Sequence, residues 1–142
     1  LRFVGEVTFQ SLSGRLVFTD PWQHTESVES PHIALARECD AMLIAPCTMN
    51  MLARLVAGRA DDPVSLLAAS IDRARCPVLL APSMNETMLH QPSTQRNISQ
   101  LAADGFTLIQ SGTGWQACRT EGAGRLPEPD DLIAAVDASL AS

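Results

Sequence analysis

Lysine is absent from this sequence: all ten cationic side chains are arginine. That excludes Schiff-base chemistry on a lysine amine and a phosphate loop of the lysine-containing type. No apolar run approaches the roughly 18 residues that span a bilayer. The opening LRFVGEVTFQ has neither a Met nor a charged start ahead of a long apolar stretch. An excess of positive charge is missing too: the formal net charge is −6, and an acidic surface repels a phosphate backbone, which argues against nucleic-acid binding. The four cysteines, Cys39, Cys47, Cys76 and Cys118, form no CxxC pair, and none stands at zinc-ligand spacing from a histidine. We therefore expect no metal site and read the cysteines as reduced thiols of a cytoplasmic protein. Internal repeats and low-complexity tracts are also lacking.

What is present fits one soluble globular domain. The 142 residues suffice for one core, and 46% hydrophobic content can fill it. The pattern alternates strand and helix. Residues 15–19 read as a short β-type run, and a short helix runs from Pro31 through Glu38. AMLIA at 41–45 is a continuous apolar run, as in a strand covered on both faces. A helix over 49–57 carries an apolar stripe of Met51, Leu52, Leu55 and Val56, with Gly58 as its C′ residue. Pro63 opens a helix to about Arg73. PVLLA at 77–81 is the second buried strand, 91–104 a helix closed by Gly105, and 106–109 a third short strand. A terminal helix over 130–140 begins with Asp in its first turn, where the helix dipole favours an anion.

Alternation of this kind implies a parallel sheet with helices on both faces, and ligands at such sheets sit at the carboxyl ends of the strands. Two loops occupy that place: Pro46-Cys47-Thr48-Met49-Asn50 and Pro82-Ser83-Met84-Asn85. Each follows a strand ending in Ala-Pro, and each offers an Asn, a donor and acceptor without charge. An Asn after a strand is also an ordinary helix cap; two such loops on one sheet point to a binding edge.

Six segments, FVGEVTFQSLSG, HIALAREC, APCTMN, GRADDPVS, APSMNETM and GTGWQACRTEGAGRLPEP, occur in an order and spacing that resemble the homo-oligomeric flavin-containing cysteine decarboxylases. The resemblance runs from about Phe3 to Pro129. It is nearest to the branch acting on 4'-phospho-N-pantothenoylcysteine in bacterial coenzyme A biosynthesis. It implies an α/β fold, a Rossmann-like, flavodoxin-type doubly wound parallel sheet in three layers. It also implies a trimer, or a dodecamer of trimers, with FMN at the subunit contact. In the implied reaction the flavin oxidises the thiol end of the cysteine moiety to a thioaldehyde. That group accepts the electrons left by departing CO2, and the enethiolate is then reduced to 4'-phosphopantetheine with no net redox change.

The resemblance also implies roles for single residues. His32 matches a histidine that serves proton transfer or charge placement; without the resemblance it reads as a surface residue at a helix start, and His24 and His90, which match no catalytic motif, read as surface residues. Asn85 matches the amide that binds the substrate carboxylate by a charge-assisted hydrogen bond. Cys118 matches the thiol that protonates the intermediate, on a Gly-rich flap over 112–124 where Ala117 and Arg119 contact substrate. Arg119 stands where the family often has Gly; its charge favours thiolate at Cys118 or meets the substrate phosphate. Thr48, Met49, Asn50 and Met51 match the flavin-contacting stretch, Ser83 the backbone position beside the isoalloxazine ring, and Phe3 an aromatic on the flavin. Met49 and Met51 depart from the small residues usual there and read equally as helix core.

The family begins with a strand and a Gly/Ser-rich loop that holds the FMN phosphate at a helix N-terminus. This sequence starts after that segment, so we expect one flavoprotein domain over 1–142, N-terminally truncated. Two other readings remain. A peptidyl-cysteine decarboxylase would lack the protonating thiol, and a non-catalytic flavoprotein regulatory subunit would keep the His and Asn but lose the Cys; Cys118 speaks against both.

Overall fold

The computed structural model describes residues 4–20, 22, 29–115, 119 and 121–141. The chain opens with α1 (Glu6–Ser13) and α2 (Pro31–Glu38), followed by β1 (Met42–Cys47), α3 (Met49–Val56), α4 (Pro63–Ser70) and β2 (Val78–Pro82). After these come α5 (Glu86–Leu89), α6 (Pro92–Ala103), β3 (Thr107–Leu108), β4 (Gly112–Trp115), β5 (Glu121–Arg125) and α7 (Pro129–Leu140). Pro31, Pro63, Pro92 and Pro129 each sit in the first turn of their helix, where the missing N–H costs nothing and the fixed φ is already helical.

Among the described residues β1, β2 and β3 form one parallel sheet in that order, with Leu43 beside Leu79 and Leu80 beside Leu108. All five residues of β2 are buried, which is why an uninterrupted apolar run, Val78 to Ala81, makes the middle strand. β1 departs from the fully covered strand expected at 41–45. Leu43 is half-buried and Ala45 exposed, because β1 lies at the edge of the described sheet. The strand also continues through Pro46, whose peptide bond with Ala45 is cis, to the buried Cys47.

Helices α2 and α4 pack together, as do α3 and α6. The core between sheet and helices is built from Ile44, Leu52, Ala68, Val78, Leu80 and Leu101. Leu52 is the buried residue of α3, at the centre of the stripe expected there. Gly58, Gly105 and Gly14 take positive φ beyond the ends of α3, α6 and α1, the conformation that closes a helix and that glycine adopts freely.

Several boundaries differ from expectation. Residues 15–19 form no strand; Leu16 is 88% exposed, and no described strand lies alongside to pair with it. The preceding residues form α1, which buries none of its side chains. The helix expected to reach Arg73 stops at Ser70, because Asp72 diverts the chain: its carboxylate accepts from Ala74 N–H at 3.1 Å and its carbonyl from Cys76 N–H at 3.0 Å. The Gly-rich flap is in part regular, β4 and β5 pairing as an antiparallel hairpin.

Leu52→Ala removes the side chain on which α3 is seated. It is expected to lower unfolding stability by about 2–5 kcal/mol, read from urea denaturation, with an unchanged slope.

Candidate functional site

The carboxyl ends of β1 and β2 are adjacent, Cys47 pairing with Pro82. The chain leaving β2 is tied to the end of β1 by Ser83 N–H donating to Cys47 O at 3.1 Å. Both loops expected to form a binding edge are therefore side by side.

After β1, Thr48 caps α3, its Oγ1 accepting from Met51 N–H at 3.2 Å. Thr48 and Asn50 are exposed and Met49 is half-buried, whereas Met51 packs against the hydrophobic core. The helix-core reading thus describes Met51. Helix α3 is held to the next helix by charge: Arg54 pairs with Asp61 and, at 3.1 Å, with Asp62. Asp62 in turn caps α4, accepting from Val64 and Ser65 N–H. Asp61, which also pairs with Arg59, has its carboxyl held below the usual range, first by that hydrogen bond from Arg59.

After β2, Met84 packs into the core and Asn85 caps α5, its Oδ1 accepting from Thr87 N–H at 2.9 Å. The cap role is thus real. It uses the acceptor end of the amide.

The β4–β5 hairpin meets this loop at the carbonyl of Gly124. Gly124 O accepts from Met84 N–H at 3.0 Å and from Ser83 Oγ at 3.4 Å. Gly124 is buried at φ 102°, a conformation side-chain-bearing residues rarely adopt. Two residues earlier, a Cβ on Gly122 would stand 2.5 Å from Glu86 Oε2, so absence of a side chain lets α5 approach the hairpin. The alternation of Gly112, Gly114, Gly122 and Gly124 was the sequence signal for this close approach. The docking bonds themselves run from backbone or from a single hydroxyl and leave no such mark.

Phe3, Ala117 and Cys118, and also His24, lie outside the described residues. Arg119 is exposed and has φ 64°, the left-handed region that favours glycine, which accounts for the preference for Gly read at this position.

His32 stands in the first turn of α2, half-buried, and its imidazole makes no hydrogen bond to either loop. Its Nδ1 is buried without a partner among the described residues. A polar atom so placed costs about 1–3 kcal/mol unless something meets it. Burial holds the Cys47 thiol at about 12, which removes it as a nucleophile. A cavity of about 270 Å³, lined by Pro82, Leu89, Ile98, Leu108, Ile109 and Gln110, opens at the same end of the sheet.

A model of the family described as Flavoprotein matches residues 1–141. The chain belongs to the Flavoprotein family. The coenzyme A biosynthesis bifunctional protein CoaBC of Mycobacterium tuberculosis (strain ATCC 25618 / H37Rv) is 43% identical over 132 residues, 93% of this chain and 30% of that protein. The chain thus spans about a third of the length of this curated relative. A solved PPC decarboxylase mutant complexed with pantothenoylaminoethenethiol superposes with a TM-score of 0.82 at 29% identity, covering 89% of this chain and 71% of the other. The FMN-binding protein AtHal3 gives 0.75 at 30% identity, covering 87% and 69%. The Rossmann-like α/β fold expected from the sequence is therefore the fold of this flavoprotein chain.

In this flavoprotein the left-handed residue of the flap can be tested directly. Arg119→Gly is expected to keep or raise stability by up to about 1 kcal/mol, strain relief of about 1–2 kcal/mol being partly offset by the entropy of glycine. Arg119→Val should lower it. Urea denaturation of the three proteins gives the order.

Proposed function

We propose that this chain is the FMN-dependent decarboxylase domain acting on 4'-phospho-N-pantothenoylcysteine to give 4'-phosphopantetheine in coenzyme A biosynthesis, in the cytoplasm. The observation that carries the reading is the seat of the β4–β5 hairpin on the Ser83-Met84-Asn85 loop, which brings the hairpin to the carboxyl edge where β1 and β2 end side by side. The likeness to CoaBC and to a PPC decarboxylase supports the substrate.

The residues present fit a flavin with a polar ligand beside it. Thr48, Met49, Asn50, Met51 and Ser83 would hold FMN along the β1 and β2 exits, with Phe3 against its ring. The buried, unpartnered Nδ1 of His32 is an atom such a ligand would satisfy. FMN, when bound, supplies a transient two-electron oxidation at the thiol end of the substrate, so that the thioaldehyde can accept the electrons left by CO2.

The chain's own groups do the rest. Asn85 meets the substrate carboxylate with the donor end of its amide. A neutral donor orients that anion without the strong ion pair that would stabilise it against loss of CO2. His32 serves proton transfer or charge placement. Cys118 delivers the final proton to carbon from the flap, and Ala117 and Arg119 contact the substrate, Arg119 being suited to its phosphate.

The site lies at a contact between copies of the chain in a trimer or a dodecamer. The exposed apolar side chains Val7, Phe9 and Leu12 of α1 support assembly, since a helix with no buried face is stabilised by covering it.

Asn85→Asp separates the two roles of this residue. Asp caps a helix as well as Asn does, so the denaturation midpoint should hold. The substrate carboxylate would face a like charge, and KM should rise at least tenfold, by steady-state assay of CO2 release. Unchanged KM would contradict the carboxylate contact. Cys118→Ser should still release CO2 but fail to form 4'-phosphopantetheine, as followed by mass spectrometry; normal product formation would remove the role given to Cys118.

A further inference from the structure

Cys39 and Cys76 stand apart from the site and take no part in the proposed reaction. Cys39 is the C-cap of α2, its N–H bonded to Leu35 O at 3.0 Å, and Cys76 precedes β2 by two residues. β1 and β2 start in register, Met42 N–H donating to Pro77 O at 2.9 Å, so the segments entering both strands run alongside each other. Cys76 is fully buried; Cys39 is half-buried and packs on the same core. The Cys76 thiol neighbours that of Cys39, whose Sγ donates to Ala41 O at 2.9 Å. Arg75 holds the surrounding backbone, donating from Nη1 to Cys39 O at 3.2 Å and from Nη2 to Ala36 O at 2.7 Å.

A buried cysteine is ordinarily a small inert hydrophobe. Two neighbouring thiols are different. A disulfide asks for Cα atoms about 4.4–6.8 Å apart, and the bonds from Arg75 to Cys39 O and Ala36 O hold the chain next to Cys76 against the end of α2. We propose that Cys39 and Cys76 are a dithiol that closes reversibly to a disulfide by exchange with a low-molecular-weight disulfide, cross-linking α2 to the entrance of β2.

Cys39, the thiol nearer solvent, loses its proton and attacks one sulfur of the small disulfide. That S–S bond breaks, one thiolate leaves, and a mixed disulfide remains on Cys39. Cys76 then loses its proton and attacks the Cys39 sulfur, expelling the second thiolate. Two protein thiols have lost two electrons and two protons, and the small disulfide has become two thiols. Burial first, then the neighbouring Cys39 thiol, pushes the Cys76 thiol up to about 11, so the closing step should quicken as pH rises toward that value.

The whole protein is incubated with oxidised glutathione, free thiols are alkylated in denaturant, and a non-reducing digest is read by mass spectrometry. The expected product is a peptide pair joined between Cys39 and Cys76, two hydrogens lighter than its parts and released by dithiothreitol. A higher midpoint of urea denaturation should accompany it. Cys39→Ser should abolish both signals, and Cys76→Ser should leave glutathione on Cys39. Alkylation of both residues in the oxidised wild type, or links confined to other cysteines, would overturn the proposal. An equal midpoint shift in Cys39→Ser would do the same. Cys39→Ala, at the half-buried position, provides the same reading if Cys76→Ser does not fold.

Discussion

The carbonyl of Gly124 is the point on which the carboxyl edge of this protein is assembled. It accepts from Met84 N–H and Ser83 Oγ, and the same loop reaches the end of β1 through Ser83 N–H and Cys47 O. The hairpin, the β2 exit and the β1 exit are thus joined in series. Each bond contributes only about 0.5–1.5 kcal/mol net, so the arrangement depends on geometry more than on strength. Glycine at 124 supplies the backbone conformation, and glycine at 122 leaves room for Glu86.

The other side of the site rests on the placement of α3. The apolar stripe centred on Leu52 sets its depth, and Arg54 ties it to Asp61 and Asp62. These contacts differ in weight. Exposed ion pairs such as Arg59–Asp61 contribute little in water, whereas the Asp62 cap of α4 satisfies backbone donors that otherwise have no partner and contributes about 1 kcal/mol. The cap therefore fixes the start of α4, and the charges bias α3 toward it.

Legibility in the sequence followed the physics of each element. Apolar continuity revealed β1 and β2, because burial leaves a strong mark on composition; the exposure of Ala45 at an edge leaves none. Periodicity revealed α3, and Gly58 and Gly105 marked where α3 and α6 close. Helix α1 escaped notice because it buries no side chain, and the β-type run at 15–19 pairs with no described strand. At the site, the Asn after β2 was legible both as a cap and as a ligand group, and the structure places it as the cap of α5. The docking of the hairpin was not legible, since a carbonyl accepting a backbone N–H has no residue preference.

The chemistry assigned to this edge returns the flavin to its starting state in each cycle, and that is its most direct test. Purified protein loaded with FMN is given excess 4'-phospho-N-pantothenoylcysteine without oxygen, and CO2 is counted per flavin. Many equivalents of CO2, matched by 4'-phosphopantetheine, are expected, with the oxidised flavin spectrum restored at the end. No CO2, or a single equivalent with the flavin left reduced, would contradict it.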